Sequence, residues 1–123
     1  LREMGQASGS AFLARVVGLY FEHAPAALEK LAIVSKDGDA AASASAAHAL
    51  KSMSANIGAL DFVEMLGAVE GAAKRDGACP DEAKLAEIDA ALAGVCDALR
   101  QTFPELAGDL DAKARTGAEA VPA

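Results

Sequence analysis

Tryptophan is absent from this 123-residue chain, aromatic residues make up only 4% of it, and there are two cysteines and two histidines. With so few aromatics and 53% hydrophobic residues, the apolar content is carried by aliphatic side chains and above all by alanine, which predicts a thin, continuous core inside one small domain. Alanine also has the highest helix propensity and lets helices approach closely. Cys79 and Cys96 are too few to form a disulfide framework or a zinc knuckle and are expected to be plain thiols in a reducing compartment. Lys and Arg nowhere cluster, and the net charge is −7, which argues against a nucleic-acid ligand. No glycine-rich nucleotide loop is present, so direct ATP binding and autonomous kinase activity are not expected. The apolar stretch from Ala11 to Phe21 is broken by Arg15 and is too short to span a bilayer. With no basic region preceding an apolar run, no signal peptide is expected, and the chain is assigned to the cytoplasm.

What the chain does have is helical patterning. Residues 1–10 form a polar lead-in in which Ser8 or Ser10 can cap a first long helix beginning near Ala11. Leu13, Val17, Tyr20, Ala27, Leu28 and Leu31 keep one helical phase across Pro25, where a kink or brief break is expected. Asp37-Gly38-Asp39 ends that helix: Gly38 can take the left-handed conformation, and Asp39 can cap the next helix, from about Ala40 to Ile57. Gly58 marks its end, and Asp61 with Glu64 resembles a capping box. Phe62, Leu66, Val69 and Ala73 form the inner stripe of the third helix, with Lys74 and Arg75 in its last turn before Asp76-Gly77. Pro80, Asp81 and Glu82 make a first turn for the fourth, in which Leu85, Ile88, Leu92, Val95 and Leu99 repeat at three and four. Pro104 should end or bend it. The expectation is an all-α, antiparallel up-down four-helix bundle over about residues 11–104 of a single 1–123 domain, with 105–123 as a frayed tail.

The segment richest in chemistry is His48-Ala49-Leu50-Lys51-Ser52-Met53-Ser54-Ala55-Asn56-Ile57-Gly58-Ala59. At about 100° per residue, Ala47, Leu50, Ser54 and Ile57 share the core face, and His48 points roughly 140° away from it. Ala41, Ala44, Ser45, Lys51, Ser52 and Ala55 surround it, where a solvated face would ordinarily carry Glu, Lys and Gln. The imidazole is expected to stand alone on a smooth surface that a partner can approach closely. The positions three and four before it are Ser45 and Ala44, so no Glu-x-x-His metal pair exists. The nearest acids in sequence, Asp39 and Asp61, are too far along the chain to be helical neighbours that would orient it as a general base. The ring nitrogen itself is the expected reactive atom. Ser54 should pack or bond to the helix backbone, Asn56 can satisfy the helix end, Met53 and Met65 should pack, and His23, near the kink, should be a surface or structural residue.

His48-x-Leu50-Lys51, the small residues after it and Asn56-Ile57-Gly58-Ala59 resemble the signature of histidine-containing phosphotransfer (HPt) domains of bacterial phosphorelays. The Phe21-Glu22-His23-Ala24-Pro25 stretch and the Gly38-Asp39 break also resemble that family's layout, so the likeness extends over most of the chain. The resemblance implies a helical bundle whose His48 accepts a phosphoryl group from one receiver-domain aspartate and donates it to another, with Lys51 as the nearby cation. Ser52 stands where the family commonly has glycine; it is small enough to preserve close docking, and its hydroxyl can bond to a phosphoryl group or hinder some partners. Neutral histidine suits the role because its unperturbed pKa is about 6.5 and a phosphoramidate remains reactive. Ala44, Ser45, Ser52 and Ala55 are expected to be the docking surface. The chain should act as a monomer with no intrinsic cofactor, magnesium coming with the receiver, and with neither membrane nor nucleic acid as partner. The alternative is a non-catalytic helical adaptor using the same His48 face.

Overall fold

The computed structural model describes residues 2–103, with side chains from Phe12 onward. Four helices make up this part: α1 (Arg2–Lys36), α2 (Ala40–Asn56), α3 (Leu60–Asp76) and α4 (Glu82–Thr102). The connections are a few residues long, which forces sequential helices to run antiparallel. Helix α2 packs against both α1 and α3, and α4 closes the bundle against α1 and α3. This is the all-α up-down four-helix bundle that the periodicity predicts.

Local signals account for most helix ends. Gly38 has φ +73°, where L side chains are disfavoured, and the Asp39 carboxylate caps α2 by accepting from the Ala42 N–H at 3.0 Å. Asp81 caps α4 in the same way, accepting from the Lys84 N–H at 2.8 Å. Helix α4 stops at Thr102, and Phe103, the residue before Pro104, has left helical geometry with φ −122° and ψ 65°.

Other expectations are corrected. Helix α1 begins at Arg2, so the polar lead-in is itself helical and neither Ser8 nor Ser10 starts a helix. It runs through Pro25 without a break: Pro25 is on the exposed side, while Tyr20, Ala24, Leu28 and Leu31 bury the opposite stripe and hold the helix across the missing N–H. Leu13 is exposed and outside the core. No capping box forms at Asp61 and Glu64; the N-cap of α3 is Ala59, with no side-chain hydrogen bond, and Asp61 lies in the first turn. The expected tail at 105–123 lies outside the described residues.

The core joins Val17, Tyr20, Ala24, Leu28 and Leu31 of α1 to Ala46, Ala47 and Leu50 of α2, Phe62, Leu66 and Val69 of α3, and Ile88, Leu92 and Leu99 of α4. Met53 and Met65 pack against it, as expected of them. One polar cluster inside it fixes α2 to α1: Ser54 donates to the Leu50 carbonyl at 2.8 Å and pairs with the Tyr20 hydroxyl at 3.0 Å. Burial there pushes the Tyr20 hydroxyl up to about 12. A second one, near the α1–α2 turn, links Ser35 to Ser43 at 3.2 Å, and Ser43 donates to the Cys79 sulfur at 3.5 Å. Cys79 and Cys96 are both free thiols. These bonds pin the α2 backbone near both ends, so the residues on its outer face are held by packing and not by a loop.

Candidate functional site

Burying Ala47, Leu50 and Ser54 completely turns the opposite face of α2 outward, and His48 lies on that face with its side chain 59% exposed. Ser45, Ser52 and Ala55 are exposed beside it, as expected for a smooth approach surface. Ala44 is not: it is 4% exposed, since four residues before His48 its helical phase lies nearer the core face, on the side shared with Glu70, Ala73 and Lys74 of α3. Ala44 forms part of the floor of a hollow of about 570 Å³ bordered by Ala41, Ser45, His48, Glu70, Ala73 and Lys74.

Glu70 is the residue that reading along the chain misses. It comes from α3, its side chain is only 7% exposed, and its Oε2 lies 3.1 Å from Nδ1 of His48. The imidazole therefore does not stand alone, and it has an orienting carboxylate that no residue of its own helix supplies. A signal was present: Glu70 follows Leu66 by four and precedes Ala73 by three, which sets an acid on the flank of the inner stripe.

Two lysines complete the cluster. Lys51 Nζ reaches Glu70 Oε1 at 2.6 Å, its stem passing over Gly67 of α3, and Lys74 Nζ reaches Glu70 Oε2 at 2.8 Å from one turn further along α3. Lys51, expected as the nearby cation that offsets the phosphoryl charge, is engaged with the carboxylate. Hydrogen bonds and charge from Lys51 and Lys74 outweigh burial and hold the Glu70 carboxyl down at about 2. Glu70 is therefore ionised at neutral pH, and an ionised carboxylate can only accept. The proton between the two groups must sit on Nδ1, which leaves the lone pair of neutral His48 on Nε2, the nitrogen directed away from Glu70.

Other candidates fall where their surroundings place them. His23 is exposed on α1, next to Val16, Leu19, Met53 and Asn56. Ser54 is buried in the bonds described above and has no access to the His48 surface. Among the described residues, no helix is long and apolar enough to cross a membrane.

An outward nucleophilic nitrogen on a stiff helix, backed by a carboxylate and two cations, suits transfer of an anionic group to and from the ring. Comparison with known proteins agrees: the family model described as Hpt domain matches residues 15–115. No curated protein and no solved structure gives a match. Hpt domains carry out histidine phosphotransfer in phosphorelays and generally interact with receiver domains. Residues 15–115 span all of α2 and α3 and hence the whole His48 cluster, and on that match the chain belongs to the Hpt domain family.

Proposed function

We propose that His48 takes a phosphoryl group from the phosphoaspartate of a receiver domain, or from a cognate kinase, and passes it to the aspartate of another receiver. The observation that carries this reading is the pairing of Nδ1 with Glu70 Oε2 at 3.1 Å on a ring that is otherwise open to solvent. The Nε2 lone pair attacks phosphorus as the bond from phosphorus to the aspartate oxygen breaks, and the carboxylate leaves with that electron pair. Nδ1 keeps its proton throughout, so the phosphorylated ring is a cation, and the Glu70 carboxylate faces the nitrogen that carries the proton. The reverse step regenerates the neutral ring and needs no proton from solvent.

Most of the charge stabilisation in such a transfer is positional and electrostatic, and the magnesium ion that assists it belongs to the receiver in this reading. Ser45, Ser52 and Ala55 form the docking surface around the ring, with Ala44 beneath it, and their short side chains let a receiver loop approach Nε2. The protein acts in the cytoplasm, where phosphorylated receivers occur. Incubation with a panel of phosphorylated receivers tests the reading. The chain should acquire an acid-labile, base-stable phosphate that is lost in His48→Gln, while the variant stays folded. Persistent labelling of that variant would move the acceptor elsewhere, and no labelling of the wild type by any receiver would leave the surface as an adaptor.

A further inference from the structure

Two lysines share one carboxylate beside His48, and their positions are not equivalent. Glu70 Oε1 is held by Lys51 alone among the described residues, at 2.6 Å, whereas Oε2 has both Lys74 at 2.8 Å and His48 Nδ1 at 3.1 Å. Oε1 is buried and accepts no well-aligned hydrogen bond, so the Lys51 ammonium balances it as an ion pair, and withdrawal of Lys51 would leave a buried charge uncompensated. Withdrawal of Lys74 would leave Oε2 still bonded to Nδ1. The Lys51 side chain is 30% exposed with its stem against Gly67, and that of Lys74 is 63% exposed. Lys74 also borders the hollow beside His48, together with Ala41, Ala44 and Ser45, and Lys51 does not.

We infer that Lys74 is the counter-cation of the phosphoryl group on His48, released from Glu70 when the group arrives, while Lys51 stays on Glu70 as a positioning residue. This inference rests on the phosphotransfer reading. A phosphoryl group brings a charge of about −1.5 to −2, more than the single charge of a carboxylate, so it competes successfully for an exposed ammonium. At the same moment the ring becomes cationic, and its Nδ1–H takes up the negative charge on Oε2 that Lys74 leaves. The exchange conserves partners: Glu70 passes from two lysines and a neutral ring to one lysine and a charged ring. Lys74 lies on α3, four residues after Glu70, so a change of side-chain rotamer suffices and no helix has to move.

The test uses the intact chain labelled with potassium phosphoramidate, which donates a phosphoryl group to histidine without a receiver, followed by ³¹P titration of the phosphohistidine. A neighbouring cation favours the more highly charged form of the phosphoryl group, so Lys74→Gln should raise its titration midpoint by about half to one pH unit. Lys51→Gln should leave that midpoint nearly unchanged and instead alter the ¹⁵N signature of the His48 tautomer, which Lys74→Gln should preserve. Circular dichroism checks that both variants are folded. Equal midpoints in wild type and Lys74→Gln, or a larger shift in Lys51→Gln, would overturn the assignment. A separate arm measures labelling of the wild type by phosphorylated receivers. Its failure would remove the phosphotransfer reading, whereas its success combined with an unmoved midpoint in Lys74→Gln would remove this inference alone.

Discussion

Glu70 Oε2 and His48 Nδ1, 3.1 Å apart, join α3 to α2 across twenty-two positions of sequence and leave Nε2 as the ring nitrogen not engaged by the carboxylate. The carboxylate is buried and the ring is exposed, so the pair is anchored on one side and open on the other.

Removing the charge of Glu70 should loosen the tautomer. A glutamine can present either its carbonyl or its amide to Nδ1, so Glu70→Gln allows the lone pair to move from Nε2 to Nδ1. Phosphoryl acceptance should fall about ten- to a hundredfold, the range typical of losing a partner that orients a histidine. Receiver-dependent labelling rates, together with ¹⁵N chemical shifts of the ring, check this. A normal rate with an unchanged tautomer would mean that Glu70 does not orient the ring.

Acid should weaken the bundle through the same carboxylate. The Glu70 carboxyl lies at about 2 in the folded chain against an ordinary 4.5, so the folded state holds the ionised form more strongly than the unfolded state does. Its contribution is present above pH 4.5 and is lost as pH falls from there toward 2. Urea midpoints measured across that window should decline more steeply in the wild type than in Glu70→Gln. Parallel declines would assign the acid sensitivity to other groups.

The proposed docking surface can be blocked without touching His48. Ala55 is exposed two turns after His48, and a long cation there stands where a receiver must approach. Ala55→Arg should slow receiver-dependent transfer by about tenfold or more, since steric obstruction of a close interface costs at least one or two kcal/mol. Its melting temperature and its labelling by a small phosphodonor should stay near wild type. Transfer at full speed would exclude this face from docking.

Rigidity of the platform comes from the core beneath it. Leu50 is fully buried two positions after His48, and Leu50→Ala should destabilise the bundle by about 2–5 kcal/mol, measured by chemical denaturation. A loss below 1 kcal/mol would show that α2 is not locked by packing at this point.

The cap of α2 contributes less. The Asp39 carboxylate accepts from the Ala42 N–H at 3.0 Å, and Asp39→Ala should cost about 1 kcal/mol, while Asp39→Asn should recover most of it. Equal losses in both variants would assign the effect to charge and not to the hydrogen bond.

Much of this protein follows from its amino-acid order alone. Helix existence, the Gly38-Asp39 break, the inner stripes of α2 and α3 and the outward direction of His48 rest on a period of 3.6 residues and on capping chemistry, both of which act between neighbours in sequence. The HPt resemblance is carried chiefly by the continuous run from His48 to Ala59, with Phe21–Pro25 and Gly38-Asp39 beside it, so it too is legible along the chain. Local rules fail where packing overrides them: α1 runs through Pro25 because its buried stripe holds on both sides, and Asp61 leads α3 without capping it because the chain enters through Ala59.

Only the tertiary structure places Glu70 against His48, buries Ala44 beneath the outer face of α2 and engages Lys51 with a carboxylate on another helix. Each of these depends on how α3 is rotated and set in height against α2. That rotation is chosen by the joint packing of Leu50, Leu66, Val69 and their neighbours, and no helical period within a single segment contains it.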